Sequence, residues 1–254
     1  MTSQLEKATA LKQLHESGQA FVIPNPWDVG SAILLEKQGA KALATTSSGH
    51  AKSLGKEDGE LSLEEKLDHC RKLCAATTIP VNADFENGFA DAPAETATNL
   101  LALAETGVAG GSIEDYSRNE IYGFDLAVER IKACADAVAT LDFPFQLTAR
   151  AEGMLRKVGD MDEIIRRLQA FEAAGADVLY APGLRTADEI ARVQSAISKP
   201  LNILASFVPQ LNMDDYQELG VSRVSIGGSL AYHAARNTEE AARAMLEQGK
   251  FDWM

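Results

Sequence analysis

The sequence predicts an α/β protein of the (β/α)8 TIM-barrel class with an additional helix ahead of the first strand. Three observations point there. Eight short apolar runs recur along 254 residues. Segments with apolar residues three and four apart separate them, as amphipathic helices require. Several of these segments end in Gly just before the next run, as in "EAAGADVLYAP", "AETGVAGGSIED" and "ELGVSRVSIGG", where glycine can take the left-handed conformation that stops a helix.

In chain order, the extra helix is expected over Ser3 to Gly18 and the first strand at "FVIP", Phe21 to Pro24. Strands two to four are read at "KALATT" (Lys41 to Thr46), "IPVNADF" (Ile79 to Phe85) and "VAGGSIED" (Val108 to Asp115). Strands five to eight are read at "FQLTAR" (Phe145 to Arg150), "DVLYAP" (Asp177 to Pro182), "PLNILAS" (Pro200 to Ser206) and "RVSIGG" (Arg223 to Gly228). Their apolar character is nearly continuous, as in parallel strands covered by helices. "SLEEKLDHCRKLCAA", "PAETATNLLALAETG", "DLAVERIKACADAVA" and "MDEIIRRLQAFEAAG" supply intervening helices. No composition shift or linker divides the chain, so residues 1–254 are read as one barrel domain. A doubly wound open sheet would carry a G-x-G-x-x-G turn after its first strand, where "NPWDVGS" stands instead.

The formal charge of -13 repels nucleic acid and anionic membrane surfaces. It also repels a small anionic substrate at long range, so a site for one needs its own local cation. No segment approaches membrane-spanning length or resembles a signal peptide, and three cysteines make no disulfide framework; a cytoplasmic protein is expected. Cys70 and Cys74 with His69 make a metal half-site at most, because no second ligand pair follows.

A barrel concentrates chemistry where strands end and loops begin. Those places carry Asn25 and Asp28, Thr46 to Ser48, Asp84 and Glu86, Glu114 and Asp115, Arg150 and Glu152, Asn202 and Ser206, and Gly227 to Ser229. Singly, Asp28 or Ser229 reads as a helix cap and Thr46 to Ser48 as a turn. The four acids Asp84, Glu86, Glu114 and Asp115 are expected to converge on one rim, where they would raise each other's pKa unless a cation sat among them. Oxygen ligands without nearby His or Cys suit Mg2+, with Mn2+ as an alternative. Arg150 is the second cation, a planar donor for a carboxylate or enolate oxygen, or else a structural partner of those acids. Schiff-base chemistry is not indicated, since Lys41 and Lys199 stand where strands start. His50 follows a strand end without an identifiable partner.

"NPWDVGSA", "ALATTSSGHA", "NADFENGF", "SIED", "TARAEG", "YAPG", "LNILA" and "RVSIGG", in that order, resemble the isocitrate lyase and phosphoenolpyruvate mutase superfamily from about Asn25 to Gly228. The resemblance implies a (β/α)8 barrel, a dimer or tetramer that exchanges C-terminal helices, and Mg2+-assisted enolate chemistry on an α-oxocarboxylate. Asp84 resembles the direct metal ligand; Glu86, Glu114 and Asp58 would hold metal-bound waters. Trp27, Asp28, Thr46, Ser47 and Ser48 would bind the substrate, Arg150 would face its enolate or carboxylate oxygens, and Asn202 would lie near the leaving group. The loop Ser117 to Phe124, hinged at Gly123, would close as a lid and bring Asn119 or Tyr122 to the substrate.

Departures narrow the reading. The isocitrate and methylisocitrate lyases carry a Lys-Lys-Cys-Gly-His stretch, against "YSRNEIYGFD" here, and a Glu where Pro182 stands. Glu86 replaces an Asp, a change suited to a water-mediated position. The expected activity is therefore a Mg2+-dependent cleavage of a C–C bond in a small 2-oxo or 2-hydroxy acid. A phosphonomutase or phosphonopyruvate hydrolase acting on a P–C bond, and a non-catalytic binder of oxo acids, are the rivals.

Overall fold

The computed structural model describes residues 2–253. Its elements are α1 (Gln4–Glu16), β1 (Phe21–Val22), α2 (Val29–Lys37), β2 (Leu43–Ala44), α3 (Ser47–Ser53), α4 (Leu63–Ala76), β3 (Val81–Asp84), α5 (Pro93–Ala104), β4 (Gly110–Glu114) and α6 (Phe124–Val138). There follow β5 (Gln146–Arg150), α7 (Gly153–Arg156), α8 (Met161–Ala173), β6 (Val178–Tyr180), α9 (Ala187–Gln194), β7 (Leu201–Leu204), a 3-10 turn (Ala205–Phe207), α10 (Met213–Glu218), β8 (Arg223–Ser225) and α11 (Ser229–Gln248). Each expected strand contains one of the eight observed.

All pairings are parallel and run β1-β8-β7-β6-β5-β4-β3-β2. Sequential neighbours around one sheet exclude the doubly wound alternative, whose order reverses at a switch point. Between the two ends of that series the Ala44 amide donates to Pro24 O at 3.0 Å, carrying the wall round from β1 to β2.

Period-two alternation decides which side chains enter the barrel. Val81 and Ala83 of β3, Ile113 of β4, and Leu147 and Ala149 of β5 pack outward in the main core with helix residues such as Leu100, Leu103, Ile131 and Leu168. Their alternates, Asn82 and Asp84, Ser112 and Glu114, and Arg150, border the central cavity.

Helix α1 starts cleanly because Ser3 and Glu6 form a reciprocal capping box. Ala8 and Leu11 pack in a second cluster with Phe21, Ile23, Ala42, Ala44 and Ala109. Full burial of a leucine side chain is worth about 1.5–3 kcal/mol. Polar ties hold the helix as well: Lys7 Nζ donates to Thr77 O at 2.6 Å and Gln4 Nε2 to Ala104 O at 2.7 Å. At the other end of the chain α11 buries only Ala231 among its described residues and leaves Leu246 84% exposed. No described helix is long and apolar enough to cross a membrane.

Candidate active site

A cavity of about 280 Å³ opens at the carboxyl ends of the strands. The residues bordering it include Thr46, Ser47, Ser48, Asp58, Asp84 and Glu86, Glu114 on the strand beside Asp84, and, farther round the barrel, Arg150 and Asn202.

At its centre Arg150 gathers three acids. Its Nη1 lies 2.7 Å from Asp84 Oδ1, and its Nη2 lies 2.8 Å from Glu152 Oε1 and 3.3 Å from Glu114 Oε2. The second Asp84 oxygen accepts the Ser47 amide at 3.0 Å. Burial alone would raise the Asp84 pKa, but Arg150 and then Lys66 outweigh it and hold the carboxyl below its usual range. Glu114 is different: burial, reinforced by Glu152, pushes its carboxyl well above the usual range. Burial also raises Glu86.

The Glu86 backbone has φ 49°, a left-handed conformation uncommon outside glycine. Buried Arg130 holds this turn, donating Nη1 to Ala90 O at 2.6 Å and Nη2 to Asn87 O. So fixed, Glu86 accepts Arg118 Nη2 at 3.1 Å through Oε2, while its Oε1 is buried without a partner. Arg118 itself has φ 76°.

Several expected positions lie elsewhere. Asp115 does not join the rim acids: one residue past Glu114, it sits on the opposite face of the strand. Its carboxylate accepts the Glu152 amide at 2.7 Å and pairs with Arg167 at 3.1 Å, and burial raises it to about 6. Asp28 is exposed and caps α2, accepting the Ser31 amide at 2.7 Å; neither it nor Trp27 borders the cavity. Tyr122 is 6% exposed and its hydroxyl is committed to Asn87 and Asp91, so it faces the core rather than the cavity. Asn119 is exposed in the Ser117 to Phe124 loop and does not border the cavity either. That loop contributes Arg118 instead, and Tyr116 just ahead of it also borders the cavity. His50 stacks on His69 with ring centroids 3.6 Å apart, its Nδ1 3.2 Å from Trp27 O, away from the cavity.

A family model described as phosphoenolpyruvate phosphomutase matches residues 11–246. The chain belongs to this family, within the isocitrate lyase and phosphoenolpyruvate mutase superfamily. An uncharacterised protein of Mycobacterium tuberculosis is 33% identical over 92% of this chain and 88% of its own. 2-Methylisocitrate lyase of Halalkalibacterium halodurans is 28% identical (78% of this chain, 67% of that one), and oxaloacetate decarboxylase of Pseudomonas entomophila 27% identical (89% and 80%). Among solved structures, a protein of Burkholderia cenocepacia J2315 provisionally named a lyase/mutase superposes with a TM-score of 0.95 at 47% identity, covering 98% of this chain and 91% of that one. Phosphonopyruvate hydrolase, solved with oxalate and Mg2+, superposes at 0.87 with 25% identity, covering 98% and 88%.

The oxygen-only donors of this family member suit a hard divalent ion that keeps its waters. Among the described residues no three His, Cys, Asp or Glu side chains converge closely enough to ligate an ion directly. Asp84 nevertheless faces the cavity, and the partnerless Glu86 Oε1 is an oxygen awaiting a donor such as a metal-bound water.

Arg118 and Arg156 on the cavity rim escaped the sequence reading, and so did two buried cations. Lys66, on α4, is fully buried and donates to Thr45 Oγ1 at 3.1 Å; that hydroxyl also accepts the Asp84 amide at 2.8 Å. Arg223, at the start of β8, borders the cavity. Neither is a strand-end residue, and a search of strand ends passes over both. Their signal is a charged residue on the buried face of an otherwise apolar element.

Proposed function

We propose that this protein is a Mg2+-dependent lyase that cleaves a C–C bond in a small 2-oxo or 2-hydroxy acid through a stabilised enolate. The observation that carries the reading is the Arg150 guanidinium, clamped by Asp84, Glu114 and Glu152 beside the oxygen donors of one cavity. A donor already immobilised by its acids needs no reorganisation when negative charge develops on a substrate oxygen, which is where electrostatic catalysis gains most.

Asp84 would hold the ion, and Glu86, Glu114 and Asp58 its waters. When bound, such an ion supplies Lewis-acid stabilisation of a developing enolate oxygen. The chain's own groups do the rest. The Thr46 and Ser48 hydroxyls, 3.2 Å apart on the cavity wall, bind the substrate carboxylate together with Ser47. Arg150 donates to the enolate oxygen. Arg118 ties the lid to Glu86, and its side chain lies beside Gly59 on the neighbouring loop, at the mouth that further closure of the lid would cover. Tyr116, just ahead of the lid, brings a hydroxyl to the cavity, with its proton donated to Arg118 O at 2.7 Å.

The three cysteines support a reading distinct from the lyases that use a cysteine acid. Cys70, Cys74 and Cys134 do not border the cavity, and burial pushes their thiols up to about 11, 12 and 12. A homo-oligomer, dimer or tetramer, is part of this proposal: α11 buries almost nothing of itself and exposes Leu246, followed by exposed Phe251 and Trp253.

The deciding experiment incubates the Mg2+-loaded protein with oxaloacetate, a panel of 2-hydroxy diacids and phosphonopyruvate, followed by carbon and phosphorus NMR. Cleavage of a carbon acid supports the proposal. Turnover of phosphonopyruvate alone replaces it with P–C chemistry, and binding without any turnover leaves a non-catalytic oxo-acid binder.

A further inference from the structure

Lys66 is a charge placed behind the cavity wall rather than in it. Its side chain is fully buried on α4, where Nζ donates to Thr45 Oγ1 at 3.1 Å. The carboxylates nearby take other partners, Arg150 for Asp84 and Arg118 for Glu86, and Lys66 forms no ion pair within 4.0 Å among the described residues. Lys66 does not border the cavity, so a ligand held there does not touch it.

Elementary physics opposes a lysine at this position. Burial of a cation without a carboxylate partner is costly. Lys66 is also the fourth residue of a helix that begins at Leu63, close to the positive end of the helix dipole, where a cation is disfavoured. The stacked rings of His50 and His69 give it no counter-charge: burial, followed by Lys66, lowers both, His69 to about 2, and leaves them neutral at neutral pH.

What the ammonium does face is the acid rim. Thr45 Oγ1 accepts the Asp84 amide at 2.8 Å as well as Lys66 Nζ, so Lys66 stands two hydrogen bonds from the Asp84 backbone. Thr45 is itself fixed, its amide donating to Asn82 O at 2.9 Å and its carbonyl accepting Asn25 Nδ2 at 3.1 Å. Lys66 acts on both rim acids. It is the next influence on Glu86 after burial, and on Asp84 after burial and Arg150, favouring the ionised carboxylate in each case. Solvent and salt screen a buried charge little, so its field reaches the cavity of a chain that carries a net charge of -13.

We propose that Lys66 is a fixed charge that sets the balance between the two kinds of ligand this site takes, loosening its hold on the divalent ion and tightening its hold on the anion. The inference rests on the metal-dependent reading above and gives this residue a role in it. A cation behind the rim repels a divalent ion and attracts an anionic ligand, so one Coulomb interaction supplies both effects with opposite signs. An acidic protein thereby gains an attraction for anions that no ligand can displace, because no ligand contacts its source.

The test is calorimetric and needs no turnover. Wild type, Lys66→Met, Lys66→Gln and Lys66→Arg are titrated with Mg2+ alone and then, at saturating Mg2+, with oxalate; urea unfolding confirms that each variant is folded. The two neutral variants are expected to bind Mg2+ about tenfold more tightly and oxalate about tenfold more weakly, while Lys66→Arg stays within about threefold of wild type for both. Lys66→Met is expected to be at least as stable as wild type, because an apolar residue of similar volume in place of a buried charge is neutral or stabilising. Damage to the pocket weakens both ligands and cannot produce opposite shifts. Both affinities falling together, or neither moving, overturns the inference and leaves Lys66 a packing residue. So does a folded Lys66→Arg that behaves like the neutral variants, since it keeps the charge. Neutral variants that both fail to fold overturn it as well, because the charge is then structural. A wild type that binds no Mg2+ overturns the metal-dependent reading, whereas Mg2+ binding that the neutral variants leave unchanged overturns this inference alone.

Discussion

Replacing Arg150 with Gln tests whether this side chain is the counter-charge on which the rim depends. Removing one partner of a buried ion pair costs about 3–5 kcal/mol. Three such pairs meet here, yet the cost is that of about one. Glu152 keeps a second partner, Arg156, at 3.5 Å, and burial already favours the protonated form of Glu114. Asp84 is the acid stripped of its chief counter-charge, retaining only the Ser47 amide and the field of Lys66. A loss of about 3–5 kcal/mol is a large share of the roughly 5–15 kcal/mol available to a domain. The sign of its pH dependence follows. In wild type the folded Asp84 pKa is depressed, so its contribution is present above the unfolded pKa and lost as pH falls through the folded value. In the variant burial dominates and the folded pKa is raised, so the folded state binds the extra proton and stability declines as pH rises through that window. Urea unfolding in EDTA is therefore expected to show the full deficit near about pH 8 and a smaller one near about pH 5. A variant within about 1 kcal/mol of wild type at the higher pH, or a deficit independent of pH, would refute this account of the cluster.

Other residues give sharper single tests. Asp84→Asn is expected to weaken Mg2+ binding by about tenfold or more, measured by calorimetry, because in the proposed site the remaining acids would hold only waters. Asp28→Ala should lower stability by about 1 kcal/mol through loss of the α2 cap while leaving turnover unchanged; a selective fall in kcat with no change in Tm would return Asp28 to the substrate site. Tyr122→Phe removes the hydroxyl bound to Asn87 and Asp91 and is expected to cost about 1 kcal/mol without altering the pH profile of kcat, which a proton-donating role would shift. The buried thiols should react with a disulfide reagent only as fast as the protein opens, so rapid labelling of Cys70 or Cys134 in the native state would contradict their placement.

The barrel was legible in the sequence because its signals are local. Apolar runs, helical periodicity and glycine stops each occupy a few residues, and all eight observed strands fall inside the runs they mark. Asp84, Glu86, Glu114 and Arg150 were legible for a related reason: strand ends of one barrel share one rim, and all four border the cavity, as does Asp58, which only the family resemblance pointed to. The parity that separates Asp115 from Glu114 was also written there, since adjacent strand residues face opposite ways.

What the sequence by itself determined is thus the fold, the rim and its oxygen-rich chemistry. Only the tertiary structure decided which acid takes which partner: Arg150 on Asp84, Glu114 and Glu152, Arg167 on Asp115, and Arg118 on Glu86. It also turned Tyr122 into the core, brought Lys66 of the preceding helix to the Thr45 hydroxyl that accepts the Asp84 amide, and left Arg223 without a carboxylate among the described residues. The physical reason is that a strand's pattern sets the direction of a side chain, whereas long, charged side chains settle their partners by reach, desolvation and competition across elements that meet only in three dimensions.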